Sequence, residues 1–387
     1  PDTRGLGAGR IVFTTRSQLL EKEILGDGTN VHRVALETLS DEDGMEVLLM
    51  DHEQRTAKEL EAARELSQRL SGLPLALKTV RKVARQRYGA RRPLERYLEE
   101  HRRGGNTAAD EAETQISLVL QQPFAFVEDQ DGVDSPVYLL LSVLPCFAPD
   151  QLPGSLLKRC AQDADEPIRR LELLGILQSK ATGVVDASEE DFYSIHRLLH
   201  ECARRRVQMN IPHAVESMAD AMEGFDAGDS RTWEPLSCLV RHASHLYKMV
   251  KGMDPEKQES GWPRTVELLC SRVLSNVGNY YRVTYDLRRA AHWHTVTLEL
   301  QRSVYGERAS NADIASTLNN LGLVKTEMWD LQGAQEMYTE ALDMMRSVYG
   351  ENASHADIAM MLNNLGIVKA DLRDLQGARE LYTQALE

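Results

Sequence analysis

The last third of this 387-residue chain repeats itself at a fixed interval. "STLNNLGLVKTEMWDLQGAQEMYTEALDMMRSVYG", Ser316 to Gly350, returns as "MMLNNLGIVKADLRDLQGARELYTQALE", Met360 to Glu387, and a weaker copy, "VLSNVGNYYRVTYDLRRAAHWHTVTLELQRSVYG", precedes both. Gly278, Gly322 and Gly366 keep the register, as do Asp286, Asp330 and Asp374, Ala290, Ala334 and Ala378, and Leu298, Leu342 and Leu386, each step being 44 residues. Self-similarity at such a period specifies a solenoid, because one unit cannot bury its apolar face alone and must stack on its neighbours. Two helices fit each unit. Small Gly322 and Ala334 let helix backbones approach, and Leu321, Leu331, Met337 and Leu342 fill the seam. Asp330 caps the second helix through its carboxylate, and Gly350 ends it with a residue that tolerates positive φ.

The Asn-Leu-Gly of the two clearer units and the alanine that follows resemble the tetratricopeptide pattern, in the longer variant of kinesin light chains, where an extended loop such as "GENASHAD" joins successive pairs. The resemblance implies that residues 265–387 form an α-solenoid whose groove takes a protein or peptide ligand.

Upstream, the pattern is different. "GRIVFTTRS" holds a short apolar run, Ile11 to Phe13, that reads as a buried strand of a parallel sheet, with Arg16 at its carboxyl end, where α/β sheets place their ligands. Ser40 followed by Asp43 reads as a helix cap. In "SGLPLAL", Gly72 ends one helix and Pro74 begins the next. Lys78 to Arg103 is rich in basic residues, broken by Glu95, Glu99 and Glu100, and reads as a solvated helix face leading to the linker "RRGGN". From about Glu111 to Val207 come short helices and a hairpin, the layout of a winged helix, whose third helix would lie near Ile168 to Leu174. Such helices can enter DNA. With 45 basic against 59 acidic residues the net charge is −14, which repels nucleic acid and anionic membranes, so packing against neighbouring segments is the expected role of that helix.

Five scattered cysteines without a CxxC pair indicate reduced thiols and a cytoplasmic protein. There is neither a signal-peptide pattern nor an apolar run of the ~18 residues that a membrane span needs. The first strand has no partners nearby and the last helix stops in mid-pattern, so the chain reads as a fragment.

Beside the repeats, "GAGRIVFTTR", "SGLPLAL" and "FYSIHRLLHE" resemble, in order, the sensor strand, the GLPL motif and the MHD-type motif of the NB-ARC family of STAND nucleotide switches. The resemblance implies that Arg16 approaches a terminal phosphate, that Pro74 packs on adenine and that His196 meets the β-phosphate of ADP and holds a closed state. Exchange for ATP with Mg would then favour homo-oligomerisation. Arg197 stands where the plant motif has aspartate. No G-x-x-x-x-G-K-[ST] occurs in the sequence, so no complete ATPase, and no enzyme, is expected of it. His196 and His200 are four apart, but no HExxH glutamate accompanies them, and they read as part of an amphipathic helix rather than a metal site. His292 and His294, flanking Trp293, read as solvated surface or a peptide-binding face.

The expected fold is mainly α. It comprises a remnant of an α/β nucleotide-binding domain (residues 1–52), a helical subdomain (53–108), a winged helix (109–210), a helical linker (211–264) and the repeats (265–387). The expected function is an ADP/ATP-dependent switch and interaction scaffold. The alternatives are a non-catalytic adaptor resembling kinesin light chains and a STAND-type transcriptional regulator.

Overall fold

The structure is a computed structural model and describes residues 38–50, 55–103, 112–161, 163–180, 191–251, 263–350 and 355–386. The expected strand near Ile11, and Arg16 with it, lie outside the described residues. The fold is mainly α, as the sequence indicates.

Four helices make a first layer: α1 (Asp41–Leu49), α2 (Ala57–Arg69), α3 (Pro74–Tyr88) and α4 (Pro93–Arg103). Side chains set their starts. Ser40 Oγ accepts from the Asp43 amide at 3.1 Å, Thr56 caps α2, and Pro74 opens α3 where no intrahelical donor is lost. Leu48, Ala63, Leu66, Leu77, Val80 and Leu94 form their common core. Glu59, buried beneath it, accepts from the Leu94 and Glu95 amides at 2.9 and 3.2 Å, so a carboxylate on α2 satisfies the free donors at the start of α4.

Next come α5 (Ala112–Gln130), α6 (Pro136–Val143), β1 (Leu152–Pro153), α7 (Gly154–Cys160), α8 (Asp165–Leu173), β2 (Leu177–Lys180), β3 (Phe192–Ile195) and α9 (Arg197–Arg206). The sheet is antiparallel with order β1-β3-β2; Ser179 pairs with Tyr193, and Tyr193 with Leu152. The sequence shows only the hairpin, because β1 is two residues long and carries no alternation. Helix α8 buries Ile168 and Leu171 against this unit. Its outer side meets α3: Lys82 Nζ donates to the Glu172 carbonyl at 2.7 Å, and Arg170 reaches Gln86 at 3.0 Å and Asp131 at 3.4 Å. With Arg170 engaged in this way, and Asp165, Glu166 and Glu172 on the same helix as exposed Arg169, the acidic residues outnumber the basic ones, which disfavours a duplex.

Helices α10 (Ile211–Ala221) and α11 (Trp233–Lys251) connect to the repeats: α12 (Arg264–Val283), α13 (Leu287–Tyr305), α14 (Ala312–Glu327), α15 (Leu331–Tyr349), α16 (Ala356–Asp371) and α17 (Leu375–Leu386). One apolar core runs from Leu120 through α10 and α11 to Trp293 and Val296, so the segment read as a linker is packed on both sides. His242 Nε2 bonds the Gln151 carbonyl at 2.9 Å and fastens α11 beside β1.

Within the repeats Asp286, Asp330 and Asp374 each cap a second helix, and Ala290, Ala334 and Ala378 are buried. The turn before each aspartate holds a residue other than glycine at positive φ: Tyr285 (61°), Trp329 (63°) and Arg373 (68°). The aspartate amide then bonds back to the carbonyl of Tyr281, Lys325 or Lys369 at 2.8, 2.9 and 2.9 Å, so one turn both closes a first helix and caps a second.

The repeat glycines do something other than the expected backbone approach. A Cβ on Gly322 would lie 2.6 Å from the Tyr338 ring, on Gly366 2.6 Å from Tyr382, and on Gly278 2.7 Å from the His294 ring. Each glycine is therefore the seat of a ring from the second helix. Tyr338 is fully buried, so Gly322→Ala forces an overpacked core and costs about 2 kcal/mol, read from urea unfolding. Combined with Tyr338→Leu, which vacates the seat, the glycine substitution costs less than it does alone; additive losses would refute the seat.

Candidate functional site

Two regions carry the site residues named from sequence. The first is the junction of α3 with the β3–α9 turn. Leu70 ends α2, Ser71 and Gly72 follow at φ 49° and 62°, and the Leu39 amide donates to the Gly72 carbonyl at 3.0 Å, so Pro74 and α3 start from a turn braced by backbone. Pro74 is exposed there. His196 is the N-cap of α9: its Nδ1 accepts from the Leu198 amide at 3.3 Å. In the neutral ring that bond puts the proton on Nε2, which is left as an outward donor. Partial burial, and then the ammonium of Lys78, hold the His196 pKa below its usual value and keep the ring neutral.

Lys78 stands one turn after Pro74 on α3. Its charge acts on His196, and the sequence shows it only as one charge in a basic run. Its recoverable signal was the spacing from Pro74, four residues and hence the same helix face. His200 does not join His196: it is buried, with Nε2 bonded to the Phe147 carbonyl at 2.9 Å. Among the described residues no cluster of His, Cys, Asp and Glu could hold a metal ion. Burial pushes the thiols of Cys146, Cys160 and Cys270 up to about 12, so none is a nucleophile at neutral pH.

The second region is the repeat array. First helices α12, α14 and α16 touch one another in succession, whereas each second helix packs between them, which turns the first helices to the inside of the curve. On that inner row Asn364 Nδ2 donates to Asn319 Oδ1 at 3.0 Å. Arg282 with Glu327 at 2.9 Å, and Arg302 with Glu340 at 2.6 Å, tie neighbouring pairs together. Gly278, Gly322, Gly366, Ala290, Ala334 and Ala378 all serve packing. His294, expected at a solvated or ligand-binding surface, is instead fully buried on Gly278, because it occupies the register of Tyr338 and Tyr382; His292 beside it is exposed. Among the described residues no helix is long and apolar enough to cross a membrane.

Residues 313–387 match the family model described as tetratricopeptide repeat. No curated protein matches the sequence. Several solved structures are similar, among them the following three. BtubC (BKLC) from P. vanneervenii is 17% identical with a TM-score of 0.32, over 46% of this chain and 73% of that one. The apo form of RapI is 15% identical with a TM-score of 0.32, over 47% of this chain and 64% of that one. A STAND protein (signal transduction ATPase with numerous domains) with a tetratricopeptide repeat sensor, from Pyrococcus horikoshii, is 13% identical with a TM-score of 0.30, over 90% of this chain and 60% of that one. The latter two are thus spanned over less than two thirds of their length.

Proposed function

We propose that this chain is a regulatory scaffold in which a tetratricopeptide array binds a protein or peptide partner and the preceding half closes on a nucleoside diphosphate, in the manner of an NB-ARC switch. The tetratricopeptide match supports the first part: stacked helix pairs present an extended inner surface suited to a peptide. The nucleotide part rests on one observation, the neutral, outward Nε2–H of His196 beside the Lys78 ammonium, one turn from exposed Pro74. A fixed donor and a cation suit diphosphate oxygens, and a proline face suits a purine. The donor and the cation at this junction suit the diphosphate; among the described residues no group of three or more His, Cys, Asp and Glu is placed to hold a metal ion, so Mg would have to be held by other residues.

In this reading the antiparallel β1-β3-β2 unit with α6, α7 and α8 is a winged helix used for packing. Its grip on α3, through Lys82 and Arg170, is the contact that opens when the diphosphate leaves. Release would free a surface for homo-oligomerisation, a population shift between two packed states. The test is calorimetric titration of ADP into the protein. Micromolar binding is expected, weakened about tenfold by His196→Ala, the value of one hydrogen bond to a charged group. A protein that binds a peptide partner but no ADP is instead an adaptor, the reading that the repeats alone support.

A further inference from the structure

Helices α11, α12 and α13 leave between them a cavity of about 500 Å3, a size that accepts a small molecule. One face of α11 forms its floor: Ser237, Arg241, Ser244 and Lys248 recur at i, i+4, i+7 and i+11. Tyr280 from α12 and Arg289 from α13 stand against them. Arg289 is held in place, its Nε 3.3 Å from Asp286 and its guanidinium 5.4 Å over the Tyr281 ring. No carboxylate lines the cavity, and neither Arg241 nor Lys248 has an acidic partner among the described residues.

Two cations without an acidic partner, Arg241 and Lys248, facing the same space as Arg289 are an unusual arrangement in a chain of net charge −14, where carboxylates outnumber cations and pairing would be easy. The wall holds a further sign of an unmet partner: His245 Nε2 is buried and bonded to nothing in the protein. Burial first, and then coupling to His200, Arg204, His242 and Lys248, push the His245 pKa down to about 4, so its ring is neutral at pH 7.

We propose that this cavity binds a phosphate-bearing small molecule, with Arg241, Lys248 and Arg289 on the phosphoryl oxygens, Ser237 and Ser244 as hydroxyl donors, and Tyr280 as an aromatic wall for the organic part. Three separated cations and two hydroxyls match a tetrahedral dianion with three peripheral oxygens better than a planar monoanionic carboxylate. The ligand would bridge α11, itself fastened to the segment before β1 through His242 and Gln151, to the first repeat pair. The cavity is thus placed to couple the two halves of the molecule. It shares no residue with the His196 junction, and it stands whether or not that junction binds ADP.

The test is calorimetric titration of pyrophosphate, at low salt, into the full chain carrying His196→Ala, which weakens the other proposed phosphate site. Saturable binding is expected, weakened about a hundredfold when Arg241→Gln and Lys248→Gln remove two charge-assisted contacts, and unchanged by Arg308→Gln, which removes an exposed charge elsewhere on the repeats. Both glutamine substitutions fall on exposed residues, and the unfolding midpoint of the double variant is measured to show that it folds. Binding that survives the double substitution, or that Arg308→Gln weakens as much, overturns the proposal. So does a heat that never saturates and fades with salt equally in every variant. Given binding, an adenosine 5′-phosphate that binds more tightly than pyrophosphate, and loses that advantage in Tyr280→Ala, supports the aromatic wall; equal affinities restrict the site to the inorganic anion and overturn the organic ligand.

Discussion

Gly72→Ala lowers the unfolding free energy by about 4 kcal/mol, the sum of a left-handed backbone and a clash that cannot relax. Gly72 sits at φ 62°, where any Cβ is disfavoured. The same Cβ would lie 2.1 Å from the Leu39 carbonyl oxygen and 3.0 Å from the Leu39 amide nitrogen, atoms of backbone rather than of a side chain that could turn aside. Moving Leu39 away breaks the bond from its amide to the Gly72 carbonyl, and with it the entry to α1. Gly224→Ala is the control: φ there is 84°, but nothing lies within 4 Å of the added carbon. That variant loses only the conformational part, about 1 kcal/mol. Urea unfolding of the two variants separates the terms, and equal losses would show that the Leu39 contact does not matter.

The turn at Gly72 was legible because glycine and proline act locally: Gly72-Leu73-Pro74 is a stop followed by a start, whatever surrounds it. The same holds for the capping aspartates, whose partner amide lies three residues on, and for the 44-residue period itself. Less legible was the job of each repeat glycine. A small residue announces close approach but not what approaches; the answer lay sixteen residues downstream, where His294, Tyr338 and Tyr382 share one register. Reading the repeat as pairs of positions would have found it, and would have placed His294 in the core. Strand β1 and the basic cavity were out of reach for another reason. Both arise from segments brought together by tertiary packing, β1 with β3 and α11 with Arg289, and neither leaves a local period.

That misplaced histidine carries the second large effect. Lowering the pH from 8 to 5 removes about 4 kcal/mol of stability through His242 and His294 alone. Both are fully buried, and burial is the main cause that pushes each pKa down to about 4, with Arg241 near the first and Arg282 near the second adding to it. In the unfolded chain each titrates near the ordinary value of about 6.5. Between those limits the unfolded state binds more protons, so stability is complete above about 6.5, falls as the pH drops, and stops falling below about 4; at pH 5 each residue accounts for about 2 kcal/mol. His200 and His245 shift in the same direction and add to the slope.

The critical variant is His294→Phe. The Gly322 and Gly366 seats already hold six-membered rings in the same geometry, so the Gly278 seat accepts one, and the substitution removes two ring nitrogens that have no partner. The variant matches or exceeds the wild type at pH 8 and loses about half as much from this histidine pair on going to pH 5. Urea midpoints at four pH values decide it: a slope unchanged by the phenylalanine would mean that His294 is not the buried neutral imidazole on which the first repeat is built.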